Sequence, residues 1–516
     1  MRKLLKGYLT GKRHATHSKM NKQLLFWFFG LAGIHLVQAQ KPNVLFVISD
    51  DLNYAVSGLG HPECKTPNLD HFAKSGVSFT EAYCQFPFCG PSRASIMTGQ
   101  YPTVNGVMSN GGKVDPERIT LPRHFANHGY WSARVSKIYH MGIPVDIVQG
   151  TSGRDHAASW EEAHNIRAME TMTPGKLANY TQPEAGKHYP NERANWSTAK
   201  AAKKPYQMHP SIRGDYAVVE VPDNDSNLLA DTMAVDKALG LLKKRKSKGN
   251  EDPFFLAVGL VRPHFPFVST EGSLKPYHSR SMIYPEFPTD DHEDMPAGAI
   301  GRTMEFKKSV VKELRRGYYG AVTYMDQQFG RLMAGLDKLE LRKNTIVVFV
   351  SDHGYLLGEH KMWKKGILWN EAIHVPLIIS APGKRKGVRT NHIVELVDLY
   401  PTLTELAGLP LEPNAQGQSL VPLLEDPEAE LARKDAWITV AKGYALRSEK
   451  WAFMWYPTSK RNKREGFMLY DMEKDPQQFT NLSEKAEYAA IKAKLFQRLR
   501  NRVRDKKNNN GLPVSK

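Results

Sequence analysis

The sequence predicts an α/β fold, a large sheet flanked by helices, followed by a small C-terminal α+β subdomain with an antiparallel sheet. Three observations carry this prediction. Two continuous apolar runs, residues 43–49 (NVLFVIS) and 345–351 (TIVVFVS), are rich in Val and Ile and read as strands buried on both faces. Both runs end in acids, Asp50-Asp51 and Asp352, at the carboxyl edge where open α/β sheets bind their ligands. Beyond residue 435 the pattern changes to short runs at 436–440, 444–447, 451–455 and 467–470, then an amphipathic stretch over 484–502, as expected for strands closed by a helix.

Taken in order, the chain opens with a targeting signal over residues 1–39. Lys22 precedes an apolar run over 24–37, and Val37-Gln38-Ala39 offers a small-residue cleavage site. Met20 is an alternative start. The run is too short for a comfortable membrane span, so the chain is expected to be exported, periplasmic or secreted, with no stable span. Residues 40–435 form the main domain, consistent with 516 residues divided into one large and one small unit. Within it, Thr66-Pro67-Asn68-Leu69-Asp70 reads as a helix start, with Thr66 as cap and Pro67 in the first turn. Residues 92–99 (SRASIMTG) read as a helix ended by Gly99. Residues 146–235, rich in polar residues, Pro and Trp without clear periodicity, read as an insertion of long loops and short helices. Residues 436–516 form the subdomain.

Composition is that of a globular protein, 41% hydrophobic and 24% charged, with a net charge of +18. Seven of those positive charges lie in residues 1–40, which leaves +11 for the rest. A basic surface draws polyanions. No nucleic-acid-binding motif accompanies it, so nucleic acid is not the expected partner. Three cysteines, Cys64, Cys84 and Cys89, exclude a disulfide scaffold. Their odd number leaves at least one thiol unpaired. Whether Cys64 and Cys84 pair is open at this stage.

Asp50, Asp51, Asp352 and the adjacent His353 suggest a divalent metal site. Paired acids at two strand ends are costly unless neutralised, and three carboxylates favour calcium or magnesium over softer metals. Cys89 stands in Phe88-Cys89-Gly90-Pro91-Ser92-Arg93 at the start of a helix, where backbone N–H groups attract anions and stabilise a thiolate. On that chemistry a nucleophilic, a structural and a modified cysteine all remain open.

The full string is more specific. Cys89-Gly90-Pro91-Ser92-Arg93, followed by Met97-Thr98-Gly99, resembles the signature of type I sulfatases without departure. The resemblance runs through the chain: the 43–52 segment, Thr66–Asp70, Ser351-Asp352-His353-Gly354 with Leu357-Gly358-Glu359-His360, and Leu469-Tyr470-Asp471 near the end. Lys137-Ile138-Tyr139-His140 and Arg262-Pro263-His264-Phe265-Pro266-Phe267 resemble segments of the iduronate-2-sulfatase branch. The resemblance implies an alkaline-phosphatase-like sandwich with a large mixed central sheet. It implies Cys89 oxidised to formylglycine (3-oxoalanine) by a formylglycine-generating enzyme. It implies one Ca²⁺ held by Asp50, Asp51, Asp352 and His353, with position 89 completing the shell. Arg93 and Lys137 would hold the aldehyde hydrate, Lys365 a sulfate oxygen. His264 would protonate the departing alcohol, and His140 would take a proton from the second hydroxyl. The implied substrate is a sulfated oligo- or polysaccharide, a glycosaminoglycan or an algal polymer such as ulvan, with a uronate 2-O-sulfate as one option. Glu359 and His360 are read as structural. Arg134, Tyr139, Trp363 and Trp369 are candidates to line the sugar pocket. Two other readings stand beside this one: a phosphate or phosphonate monoester hydrolase of the same superfamily, and a non-catalytic polysaccharide-binding protein.

Overall fold

A computed structural model describes residues 41–504, less 170–171, 173, 184, 207–214, 251 and 459–463. The targeting signal expected over 1–39 lies outside the described residues. The frame is a nine-stranded mixed sheet. Its strands are β1 (Asn43–Asp50), β2 (Val77–Tyr83), β3 (Trp131–Val135), β4 (Glu162–His164), β5 (Phe254–Pro263), β6 (Thr345–Ser351), β7 (His374–Ser380), β8 (Val388–Thr390) and β9 (Val394–Glu395). They run in the order β8-β2-β7-β6-β1-β5-β3-β4, with β9 also on β2. β1 lies between β6 and β5 and is parallel to both, while β7 runs antiparallel to β6 and β2.

The period-two geometry of a strand divides β1 between two cores. Val44, Phe46 and Ile48 enter one apolar cluster, Leu45 and Val47 the other, and all five are fully buried. This is why the run is apolar without alternation: helices cover both faces. On the second face lies the long helix α3 (Lys308–Lys338), preceded in the chain by α1 (Cys89–Thr98) and α2 (Ala230–Ser247). The α3 residues Leu314, Tyr318, Met325, Phe329, Leu332 and Leu336 recur at helical spacing and are buried against the sheet.

The subdomain is a four-stranded antiparallel meander, Asp435–Val440, Gly443–Ser448, Trp451–Tyr456 and Gly466–Asp471. α4 (Ala489–Arg504) packs Leu495, Leu499 and Val503 against Phe453 and Leu469. This matches the sequence expectation closely.

Three expectations need adjustment. α1 begins at Cys89, three residues earlier than read, because Pro91 is compatible with a first turn. Thr66 does precede a helix, Pro67–Ala73, yet its hydroxyl does not cap it. That oxygen instead accepts from Ser57 N–H. Residues 146–235 hold more regular structure than loops: β4 at the sheet edge, a 17-residue helix Ala185–Ala201, and strands Lys176–Asn179 and Ala217–Val221, which form a second small sheet with Phe267–Thr270. The helix has no apolar stripe to betray it, and the two strands are short. Cys64 and Cys84 are both free and lie in different cores, so they form no disulfide. Among the described residues no helix is long and apolar enough to cross a membrane.

Candidate active site

Parallel pairing of β1 with β6 places Ser49 opposite Ser351, so the acids that follow each strand emerge side by side. Asp51 N–H donates to Asp352 Oδ1 at 3.1 Å, across 301 residues of sequence. α1 then aims its first turn at this edge. Ser92 Oγ donates to the Asp352 carbonyl at 2.5 Å, and Gly90 fits so closely that a Cβ there would lie 2.9 Å from the Asn110 Cα. Cys89 Sγ lies 3.3 Å from His353 Nε2 and 3.9 Å from Asp51 Oδ1.

The acids and cations of the site are interleaved and fully or almost fully buried. Arg93 reaches Asp352 with Nε (2.7 Å) and Asp50 with Nη2 (3.2 Å), and donates through Nη1 to the Lys137 and Ile138 carbonyls. Lys137 Nζ lies 2.5 Å from Asp50 Oδ2. Lys365 Nζ lies 2.5 Å from both Asp51 oxygens. His264 Nε2 is 3.7 Å from Asp51 Oδ2. Its Nδ1–H donates to the Phe265 carbonyl at 2.6 Å, leaving Nε2 to face the site. His140 completes the ring. Its Nδ1 is buried with no hydrogen-bond partner among the described residues, and its electrostatic neighbours are Lys137, Asp50, Arg93 and Lys365.

Charge and burial set the protonation states. Burial pushes the Asp50 carboxyl up, but Lys137, His264 and Arg93 outweigh it and hold Asp50 well below the ordinary carboxylate range. Burial raises Asp51 to about 7 despite Lys365. Burial alone would raise the Cys89 thiol, yet Lys137 and Lys365 bring it below its usual value. Burial and Lys137 lower His140 to about 3, and burial with Lys365 holds His264 well below an ordinary imidazole.

These donors fit a hard divalent cation. Asp50, Asp51 and Asp352 each place an oxygen within 4.8 Å of the others, and oxygens that share one calcium at about 2.3–2.6 Å can lie no more than roughly 5 Å apart. Asp51, Cys89 and His353 form an overlapping set. A buried Asp51 raised towards neutrality is what such a cation would relieve. The structure thus brings together all ten residues singled out from the sequence: Asp50, Asp51, Cys89, Arg93, Lys137, His140, His264, Asp352, His353 and Lys365.

It does not bring the four pocket candidates to the surface. Arg134 is buried on Asp155, and Tyr139, Trp363 and Trp369 are core residues. Glu359 and His360 are structural as expected, paired with Arg315 and Asp291.

The sequence reading missed the brace behind His264. Asp231, in the first turn of α2, accepts Val261 N–H at 2.6 Å and Arg262 N–H at 3.0 Å. Arg262 Nη1 in turn donates to the His264 and Pro266 carbonyls. The only signal was one acid just inside a helix start. Burial raises Asp231 to about 7, even though both N–H bonds favour the ionised form. A carboxyl raised in the fold favours folding at low pH, and that contribution is lost as pH rises from about 4 to about 7. Asp231→Asn removes the titration along with one acceptor. The variant is therefore expected to melt well below wild type at pH 5, with the gap narrowing by pH 8. A gap in melting temperature that widens with pH would contradict this.

An alkaline-phosphatase-like sheet carries this cluster at its carboxyl edge. The sulfatase family profile matches residues 42–409, and the profile "N-sulphoglucosamine sulphohydrolase, C-terminal" matches 358–505. The chain belongs to the sulfatase family, enzymes that hydrolyse sulfate esters. It is 29% identical to a sulfatase of Formosa agariphila over 487 residues, covering 89% of this chain and 87% of that one. It is 28% identical to human iduronate 2-sulfatase, covering 72% and 70%. In fold it resembles the phosphonate monoester hydrolase of Silicibacter pomeroyi, with a TM-score of 0.71, 21% identity and coverage of 90% and 96%.

Proposed function

We propose that this sulfatase removes sulfate from a sulfated carbohydrate after export, using a formylglycine made from Cys89 by a formylglycine-generating enzyme, and one calcium ion. The observation that carries the reading is the placement of Cys89. The cysteine of the Cys89–Arg93 motif opens a helix, fully enclosed by three acids and three cations. Similarity to human iduronate 2-sulfatase, and 28% identity to an ulvan-active sulfatase of Formosa agariphila, support a polysaccharide substrate.

When present, the ion would polarise sulfate oxygens and the hydrated aldehyde would supply the attacking oxygen. The chain's own residues do the rest. Asp50, Asp51, Asp352 and His353 would hold the ion. Arg93 and Lys137 fix charge beside position 89, and Lys365 offers its ammonium to a sulfate oxygen by preorganised contact. His264, oriented by its Nδ1–H bond, presents Nε2 to the departing sugar oxygen and delivers a proton from it when charged. His140, whose Nδ1 is buried with no hydrogen-bond partner among the described residues, would accept the proton whose removal expels sulfate and resets the site.

The test is sulfate release from a panel of sulfated oligosaccharides, beside aryl sulfate, aryl phosphate and phosphonate esters, with and without chelator. The reading expects sulfate esters to dominate and calcium to restore a chelated sample. Faster phosphonate cleavage would favour the alternative suggested by the fold relative. Polysaccharide binding with no ester cleavage would favour a binding protein. His264→Ala provides a sharper check. Sugar alcohols leave poorly without a proton, so its kcat is expected to fall about 10²-fold or more on a sugar sulfate and much less on an activated aryl sulfate. Equal losses on both would remove His264 as the acid.

A further inference from the structure

Next to Lys365 stands a second lysine that the proposed chemistry does not use. Lys364 closes strand Met362–Lys364, pairing with Leu356, and it adopts a positive φ of 75°. That backbone region favours glycine, and side chains held there cluster at functional sites. Its Nζ lies 3.1 Å from Asp215 Oδ1, 4.4 Å from the Phe265 ring centroid and 5.0 Å from that of Tyr216. The Phe265 ring stacks on His264 at 4.5 Å, and Lys365 Nζ lies 5.6 Å from its centroid. Lys364 and the imidazole that would face the leaving group therefore lie against the same Phe265 ring.

Two further cations, Arg302 and Lys365, act on Lys364. Arg302 lies over the same Tyr216 ring at 5.5 Å and is exposed, so Lys364 and Arg302 both flank Tyr216. Lys364 keeps 15% of its side chain accessible and Asp215 keeps 43%, so the pair can open to a ligand. Desolvation and the nearby Arg302 and Lys365 lower the Lys364 ammonium, although Asp215 opposes them. A ligand oxyanion would reverse that cost. A neutral sugar hydroxyl would not.

We propose that Lys364, supported by Arg302, binds a second anionic group of the substrate, so that this sulfatase selects sulfated sugars bearing an additional carboxylate or sulfate. The inference rests on the proposed function of the same site. Asp215 acts as a placeholder for that anion, keeping Lys364 oriented and setting a threshold against neutral sugars.

The experiment compares kcat/KM for paired substrates, a monosulfated uronoside and the monosulfated hexoside that differs only in carrying CH₂OH for the carboxylate. Wild type is expected to prefer the uronoside. Lys364→Met is expected to lower that ratio about tenfold, as loss of one charge-assisted contact would. Lys364→Arg should restore most of it. Asp215→Asn should raise the ratio, because it frees the ammonium, and a merely structural ion pair would not move it that way. Parallel losses on both substrates with an unchanged ratio, or a wild-type ratio of one or less, would overturn the inference. Release of sulfate from an aryl sulfate by wild type separates the two levels: its absence would sink the underlying function, whereas its presence beside a ratio of one would sink only the selectivity.

Discussion

Cys89→Ala is expected to reduce sulfate release by about 10⁴-fold or more, in line with the loss of a nucleophile that acts as a unit with its neighbours. The side chain is 1% exposed and opens a well-packed helix, so exchanging a thiol for hydrogen removes little volume. The variant should fold, and its melting temperature should stay within a few degrees of wild type. Cys89→Ser makes the chemical argument sharper. A single hydroxyl can attack sulfur once but has no second hydroxyl to lose a proton to His140. That variant is expected to give at most one turnover and to trap sulfate on residue 89, visible as a mass increase of one SO₃. In active wild-type protein, the peptide ending at Arg93 should react with a hydrazide as an aldehyde does. Active protein with an unmodified thiol at 89, or a serine variant that turns over steadily, would contradict the proposed chemistry.

Much of this site was legible before any coordinates, and the reason is local. Asp50 and Asp352 each end an apolar run, and two such runs paired in parallel deliver their acids to one edge. The Cys89–Arg93 string is contiguous, so the family resemblance it carries needed no knowledge of the fold. The aromatic candidates failed for a related reason. Trp363 lies one residue from Lys364 and two from Lys365, but neighbours in a strand point to opposite faces, and Trp363 turns into the core against Tyr216 and Phe306. Asp231 and Lys364 were hidden because their partners are distant in sequence. Asp231 serves a backbone segment 30 residues on, and Lys364 meets Asp215 from a region whose short strands lack a strong pattern. Spacing reveals what one element presents. It does not reveal which two elements the crossovers bring together.

The largest stability effect is expected at Arg93. Its guanidinium is fully buried between Asp50 and Asp352, themselves fully buried, and its remaining contacts go to the carbonyls of residues 137 and 138. Arg93→Met keeps much of the volume and removes the charge. Asp50 retains Lys137, but Asp352 loses its guanidinium and, among the described residues, keeps the N–H groups of Asp51 and His353 and the His353 imidazole at 3.7 Å. Breaking one side of a buried pair in this way costs about 3–5 kcal/mol. Arg93→Lys keeps the charge and loses the fork that spans two acids, so an intermediate loss is expected. Calcium should narrow the gap, because a cation bound among the same three carboxylates stabilises the folded state by mass action and takes over part of the role of the missing guanidinium. Denaturant midpoints of Arg93→Met and wild type, each measured in chelator and in millimolar calcium, read this directly. A variant as stable as wild type in chelator would mean that the acids are not charged against Arg93. A gap that calcium leaves unchanged would mean that the carboxylates do not share an ion.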